Sequence, residues 1–492
     1  MNAEYDLLRA HAGSSQPALW REGRWYSYAE LDARASQLAG RLRSVGVRKG
    51  DRVGILALNH IAHIDLMLAA PRLGFIHTPF NYRLPAAELA GLLDYIRPAL
   101  MLADAGHLHL AGAIGCPLLS LSDYESWRQS AQPAASCVVG AEDVHMILFT
   151  GGSTGLPKGA LLPYRQTLAN CRNTATGWGL RPDDCSIIAT PCFHAAINAL
   201  GTPLLALGGR VALMSSFEPG EYLRLAGEVG ATLLFMVPSM YQMLAEHPGF
   251  AAADLARVRW AISGGAPCPP GVAAAYARRG IRFKQGYGMT EAGVNCFMFD
   301  LDEAAQHPDS VGRPLPGTEA MIARADGSPC GDGEVGELLL RGPHLFQGYF
   351  RRPDETRAVL RDGWLRTGDL ARRDAAGRYT ICGRRKEMYI SGGENVYPAE
   401  VEAVLSGLAG IAECAVLGVP DERWGETGLA AVVQGIRGEW SAETLRAELK
   451  KSLAGYKVPT RYLFLDALPK SGAGKTLKPA ILERWRRLSL TE

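Results

Sequence analysis

Residues 27–58 read SYAELDARASQLAGRLRSVGVRKGDRVGILAL. Ser27 and Glu30 make an S-x-x-E capping box, in which a hydroxyl and a carboxylate three residues apart satisfy each other's backbone N–H groups at a helix start. Leu31, Ala35, Leu38 and Leu42 then recur on one helical face. Gly46 ends the helix, and Arg52–Leu58 is an apolar strand. The same alternation continues outward. A helix at about 60–70 is ended by Pro71 or Gly74. Further on come a strand at 210–214, a helix at 219–229, a strand at 232–237, a helix at 239–245 and a strand at 258–263. Helices alternating with short apolar strands predict an α/β architecture around largely buried parallel sheet.

After about residue 320 the pattern changes. Short strands at 319–323, 336–341 and 379–382 are separated by dense turn signals, Asp326-Gly327, Gly331-Asp332-Gly333 and Asp362-Gly363. Beyond Lys386 a block of about 105 residues, long enough to bury its own core, reads as helix 398–406, strands 413–419 and 429–434, helix 441–453 and strand 461–465. The expected division is therefore 1–385 and 386–492.

Composition narrows the class. Of 492 residues, 47% are hydrophobic and 21% charged, with 52 Lys+Arg against 50 Asp+Glu. These values exclude a disordered, coiled-coil or collagen-like chain and a general electrostatic grip on nucleic acid. The 56 Gly and 29 Pro imply many special loops in an ordered fold. Ten cysteines occur without C-x-x-C, which gives no support to zinc or dithiol sites. His60-x-x-His63 lacks a third ligand. The N-terminus carries no basic-then-apolar signal pattern. The most apolar run, 195–209, is too short to span a bilayer. A cytoplasmic protein without a transmembrane segment is the expectation.

Five segments bear chemistry. In Thr150-Gly-Gly-Ser-Thr-Gly-Leu-Pro-Lys158-Gly159, an apolar strand (144–149) runs into glycines that turn N–H groups inward, hydroxyls that donate, and one lysine, which is how a chain cradles polyphosphate. The spacing is not that of a Walker A loop. Gly151-Gly-Ser153-Thr-Gly155 also fits the G-x-S-x-G of a hydrolase elbow, which needs a helix directly after the serine. Apolar residues 160–162 point to strand–loop–strand instead, with the helix delayed to about 164–176. In Gln285-Gly-Tyr-Gly-Met-Thr-Glu291, Tyr287 can stack on a base, and Thr290 and Glu291 offer hard oxygens of the kind Mg²⁺ takes beside phosphate. Taken alone, this stretch reads first as an ordinary helix entry, with Thr290 as cap. Thr367-Gly-Asp369-Leu370 places a carboxylate on a turn, suited to ribose hydroxyls or to a plain β-turn. Gly383–Pro398 (GRRKEMYISGGENVYP) puts basic residues at the division and reads as a hinge or a solvated linker. Pro469–Lys478 (PKSGAGKTLK) carries a lysine on a glycine-rich loop.

Taken together, TGGSTGLPKG, YGMTEAG, TGDL, GRRKEMYISGGENVYP and PKSGAGKTLK resemble, in order and across nearly the whole chain, the motifs of the adenylate-forming superfamily of acyl-CoA synthetases, peptide-synthetase adenylation domains and luciferases. The resemblance implies a large N-terminal domain of mixed sheets in layers with helices, plus a small mobile α+β lid. It implies that a carboxylate attacks the ATP α-phosphate to give acyl-AMP and pyrophosphate, after which a thiol, usually of coenzyme A, takes the acyl group. Thr150, Gly151, Gly152, Ser153, Thr154, Gly155 and Lys158 match the phosphate loop. Thr290 and Glu291 match the Mg²⁺ positions. Gly264, Gly265, Ala266, Gly286, Tyr287, Gly288 and Met289 match the adenine side. Asp369 and Arg384 match the ribose pair. Lys386 falls at the hinge, Lys475 at the lysine of adenylation, and Gly392 and Gly393 at the loop lining the thiol tunnel. Phe193 and His194 match the aromatic–His pair beside the acyl group.

An acyl pocket is expected from Phe193, His194, Ala196, Ile197, Asn198, Val237, Pro238, Tyr241, Met289 and Asn295. Phe193–Leu200 contains no acid to hold an α-ammonium group, so a fatty or aryl acid fits better than an amino acid. Four readings compete. A carboxylic acid:CoA ligase leads. An adenylation enzyme loading a separate carrier is the near alternative, with no carrier signature following Lys475. An α/β-hydrolase using Ser153 and a nucleotide-binding regulator without catalysis are the distant ones, and the intact Lys475 and Glu291 argue against the regulator. Oligomeric state stays open, a homodimer included.

Overall fold

In the computed structural model, residues 3–111, 115–130, 132, 139–151, 157–435, 439–470 and 476–489 are described. The reading of residues 27–46 is met closely. Ser27 caps a helix at Tyr28–Ser44 with both halves of the box formed. Leu31, Ala35, Leu38 and Leu42 are fully buried. The next helix, Ile61–Leu73, runs through Pro71 and ends at Gly74, whose φ of 78° is the left-handed C-cap glycine favours. Every residue of this helix is buried.

Among the described residues the chain builds four sheets. The first orders strands Arg282–Gln285, Trp260–Ser263, Leu233–Met236, Cys185–Ile188 and Arg210–Leu213 in parallel, then adds Pro17–Arg21 and Arg24–Ser27. The second runs Gly348–Tyr349, Lys158–Pro163, Val144–Thr150, Ile76–Pro79, Arg52–Leu56, Leu100–Ala103 and Leu118–Ser120. It is parallel from Val144–Thr150 onward and antiparallel at the other edge. The third is antiparallel, with Phe297–Met298, Ser310–Pro314, Tyr379–Arg384, Trp364–Arg373, Gly336–Arg341 and Glu319–Ala323 in order and Leu360–Arg361 on its flank. The fourth lies wholly after residue 388, with Glu394–Val396, Tyr389–Ser391, Gly425–Gln434, Ile411–Asp421 and Arg461–Phe464. It is covered by helices Pro398–Ser406 and Ala442–Leu449 around its own core of Val401, Leu405, Val416, Val432 and Leu445.

The elements differ from expectation in places. The helix expected at 441–453 stops at Leu449 and continues as turns. Strands 411–421 and 425–434 extend beyond 413–419 and 429–434, because they form one long hairpin. The hairpin Pro17–Ser27 and the helix Lys478–Ser489 had no counterpart in the sequence reading.

The layer between the first helices and the second sheet holds buried imidazoles. His63, His77 and His145 are each at most 3% exposed. His145 Nε2 meets the Met67 carbonyl at 2.9 Å and Nδ1 meets Thr167 Oγ1 at 3.0 Å. A carbonyl can only accept, so Nε2 carries the proton and Nδ1 accepts from the threonine. Burial lowers His145 to about 4 and His63 to about 3, and puts His77 well below its usual value. An unfolded chain protonates these groups near 6.5, so the unfolded state binds more protons on acidification. The stability they confer is complete above about pH 6.5 and is lost as pH falls toward 4. At about 1.4 kcal/mol per pKa unit, His145 alone accounts for about 3 kcal/mol. Urea midpoints should fall steeply between pH 7 and 5, and His145→Gln, although weaker at pH 7.5, should show a shallower decline. An unchanged slope would refute the assignment.

Candidate active site

Thr150 and Lys158 are paired across the antiparallel strands Val144–Thr150 and Lys158–Pro163. The glycine-rich segment therefore connects two strands, and the helix waits until Tyr164. This is the strand–loop–strand order, and it lacks the strand–turn–helix a hydrolase elbow requires. Gly152, Ser153, Thr154 and Gly155 lie outside the described residues, as does Lys475. Gly151 is exposed and Thr150 half-buried.

Lys158 Nζ pairs with Glu355 Oε2 at 2.5 Å and stands 5.0 Å from the Tyr349 ring centroid. The Tyr349 hydroxyl donates to Glu291 Oε1 at 2.9 Å. Burial, and then the Glu291 charge, raises the Tyr349 phenol above its usual range, so it stays a donor. Glu291 is 5% exposed and sits in a short 3₁₀ turn, Thr290–Ala292. Its carbonyl accepts from Phe346 N–H, while Gln166 Nε2 donates to the Thr290 carbonyl at 3.1 Å. Tyr349, Glu355 and Gln166 complete this cluster. No motif marks these three, since each arrives from a distant element.

The same loop reaches a second cluster. The Tyr287 hydroxyl donates to Asp369 Oδ2 at 2.6 Å, and Arg384 Nε lies 3.3 Å from Asp369 Oδ1. Asp369 and Arg384 face each other in register on strands Trp364–Arg373 and Tyr379–Arg384. Asp369 therefore lies within a strand and not on the expected turn, and its backbone is held by Thr367, whose hydroxyl donates to the Leu338 carbonyl and accepts from Asp369 N–H. Burial and the adjacent carboxylate push the Tyr287 phenol well up. The loop between the clusters demands glycine at one point, because a Cβ on Gly288 would stand 1.7 Å from the Val294 carbonyl oxygen. Gly286 N–H bonds the Ser263 carbonyl at 2.7 Å, bringing the loop beside Gly264, Gly265 and Ala266. Gly265 and Ala266 are exposed there.

Where the acyl group is expected, Phe193 is buried, with its ring 4.4 Å from that of the half-buried His194 and edge-on to Tyr82 at 5.2 Å. Ala196, Asn198, Val237, Pro238 and Met289 are half-buried, and Ile197 is buried. Two of the expected pocket residues are spent on the interior. Tyr241 is fully buried, and its hydroxyl donates to the Leu234 and Ile262 carbonyls, both at 3.0 Å. It belongs to the core behind the first sheet, because one helical turn past Pro238 the face of Pro238–Glu246 points inward. Asn295 is 2% exposed, with Nδ2 donating to Thr174 Oγ1 and the Ala199 carbonyl. It ties two helices together.

Lys386 is exposed in the turn joining the third and fourth sheets, where Glu387 and Met388 N–H both reach the Arg384 carbonyl. Gly392 and Gly393 are exposed with φ of 62° and 86°, and Gly392 N–H bonds the Trp424 carbonyl. Among the described residues no group of three or more His, Cys, Asp or Glu could hold a metal, and no helix is long and apolar enough to cross a membrane.

One loop, Gly286–Glu291, thus meets Asp369 through the Tyr287 hydroxyl at one end and, through Glu291, meets Tyr349 with Lys158 beside its ring at the other. The chain belongs to the AMP-binding enzyme family. The family's sequence model matches residues 8–350, and that of the AMP-binding enzyme C-terminal domain matches 400–475. Feruloyl-CoA synthases of Amycolatopsis and Streptomyces are each 40% identical over 98% of both chains. A long-chain-fatty-acid–CoA ligase of Mycobacterium tuberculosis is 33% identical over 93% of both. Among solved structures, ATP-bound MatB from Rhodopseudomonas palustris superposes with a TM-score of 0.90 at 30% identity, covering 99% of this chain and all of that one. The o-succinylbenzoate CoA synthetase of Bacillus subtilis, in complex with its acyl-adenylate, gives 0.89 at 28%, covering 97% of each.

Proposed function

We propose that this protein joins a carboxylic acid to coenzyme A at the expense of ATP, through acyl-AMP and with release of AMP and pyrophosphate, and that the acid is an aryl acid of the hydroxycinnamic kind. The observation that carries the reading is the single loop linking Tyr287–Asp369–Arg384 to Glu291–Tyr349–Lys158. The aryl preference rests on the 40% identity to feruloyl-CoA synthases and on the aromatic pair Tyr82–Phe193 beside His194.

In this reading Asp369 accepts the ribose hydroxyls, Tyr287 flanks the base, and Thr150, Lys158 and the loop after Thr150 hold the phosphates. Thr290 and Glu291 would hold Mg²⁺. A nearly buried carboxylate beside a hydroxyl suits an ion that takes few protein ligands next to phosphate, and the ion would supply positive charge to the phosphates. Lys475 neutralises charge growing at the α-phosphate, so the acid's carboxylate can approach. Displacement there is mostly positioning and electrostatics, and needs no enzyme nucleophile. His194 stands by the acyl carboxylate. The second step brings Gly392 and Gly393 to the thiol path after residues 386–492 rotate about Lys386.

The test is pyrophosphate release and thioester formation with ATP and CoA over ferulic, 4-coumaric, benzoic and long-chain fatty acids. Hydroxycinnamic acids should lead. ADP as product would overturn the reaction class, and turnover of fatty acids alone would overturn the acid. Lys386→Pro fixes φ at the hinge and should lower thioester formation from supplied acyl-AMP at least tenfold more than adenylation. Equal rates in both half-reactions would remove Lys386 from the hinge.

A further inference from the structure

Lys284 is 3% exposed, yet among the described residues its ammonium meets two indole rings and no carboxylate. Nζ lies 4.4 Å from the Trp260 ring centroid and 4.6 Å from that of Trp178, and the rings stand 6.0 Å apart at 89°. An unpaired buried charge is costly, and a methionine or leucine would fill the same space without that cost. Burial first, and then the neighbouring Arg259, itself held by Asp184 at 2.6 Å, lower Lys284 to about 7, so the clasp is fully charged only below neutral pH. What the lysine gives in exchange is a directional attachment to both ring faces.

The three residues come from the three elements that hold the loop Gly286–Glu291. Lys284 is on strand Arg282–Gln285, which runs directly into that loop. Trp260 is on the adjacent parallel strand, where Ile262 pairs with Lys284 and Ser263 with Gln285, just before Gly264 and Gly265. Trp178 follows helix Tyr164–Gly177, whose Gln166 grips the Thr290 carbonyl. The Trp178 Nε1–H donates to the Phe297 carbonyl at 3.0 Å, and the Phe297 ring meets Tyr287 edge-on at 5.7 Å. The loop is therefore fastened at its entry by the lysine between the indoles and at its exit by Gln166.

We propose that Lys284 is a positioning residue for ATP binding: its ammonium, clasped by Trp178 and Trp260, fixes the point from which Tyr287 and Glu291 are presented. The proposal rests on the ATP-binding reading above. Its test separates the clasp from ordinary packing. Lys284→Met removes a buried charge, so the melting temperature should hold or rise, while the dissociation constant for ATP, measured by calorimetry without acid or CoA, should increase roughly five- to tenfold. The KM for CoA should not move. Lys284→Arg should restore ATP affinity, and Trp178→Phe, with a weaker ring face, should reproduce a smaller part of the loss. Unchanged ATP affinity in Lys284→Met overturns the proposal. So does a fall in melting temperature with all constants declining together, or failure of folded Lys284→Arg to recover. Wild-type protein that binds no ATP would instead overturn the underlying functional reading, and this proposal with it.

Discussion

Replacing Lys475 with alanine should lower carboxylate-dependent pyrophosphate release by about a thousandfold, while thioester formation from supplied acyl-AMP stays within a few-fold of wild type. A carboxylate attacking a triphosphate meets like charge. The chemical step therefore needs positive charge at the α-phosphate as the transition state forms, where preorganised electrostatics count most. In the second step the phosphate leaves as AMP and the lysine has no equivalent task. Lys470 is the internal control. It pairs with Glu413 at 2.8 Å, and its backbone forms an isolated bridge with Thr476. Lys470→Ala should leave both half-reactions near wild type. Equal loss of both steps in Lys475→Ala, or a comparable loss in Lys470→Ala, would refute the assigned role.

What could be read from the sequence was what short-range chemistry dictates. The capping box at Ser27 and Glu30 and the stop at Gly46 placed the helix Tyr28–Ser44 to within about a residue. The apolar run before Thr150 and the apolar residues after Lys158 placed the glycine-rich segment between two strands. The motifs supplied Tyr287, Asp369, Arg384, Glu291 and Lys158, and the fold brings them into two clusters joined by one loop. Long-range placement was not legible. Tyr349 and Glu355 enter from a region whose local sequence reads only as short strands and turns, where the structure has strand Gly348–Tyr349 and helix Pro353–Val359. Tyr241 was misplaced because helical spacing tells which residues share a face, not which of two cores that face meets. The hairpin Pro17–Ser27 turns through Glu22 and Gly23, both at positive φ. A glutamate there lacks the Asn-Gly or Asp-Gly signature of such turns. The indoles around Lys284 come from positions 178 and 260, separations no local pattern encodes.

Asp369→Asn should raise the KM for ATP about a hundredfold and, more tellingly, erase discrimination between ATP and its 2′,3′-dideoxy analogue. Asp369 is 7% exposed and spans Tyr287 and Arg384, so its charge is held in place before any ligand arrives. A carboxylate accepts two hydroxyl donors where an amide offers one acceptor oxygen, and charge-assisted bonds of this kind contribute about 1.5–3 kcal/mol each. The variant also leaves Arg384 without its counter-ion, which could weaken ATP by distortion alone. The analogue separates the two causes. Distortion weakens ATP and dideoxy-ATP alike and preserves their ratio. Loss of the diol contact collapses the ratio toward one. Tyr287→Phe keeps the ring beside the base and removes one hydrogen bond to Asp369, so it should cost about tenfold or less in ATP affinity and keep the discrimination. If Asp369→Asn retained the wild-type preference for ATP over the dideoxy analogue, Asp369 would be a structural partner of Arg384, and the ribose end of the site would have to be sought elsewhere.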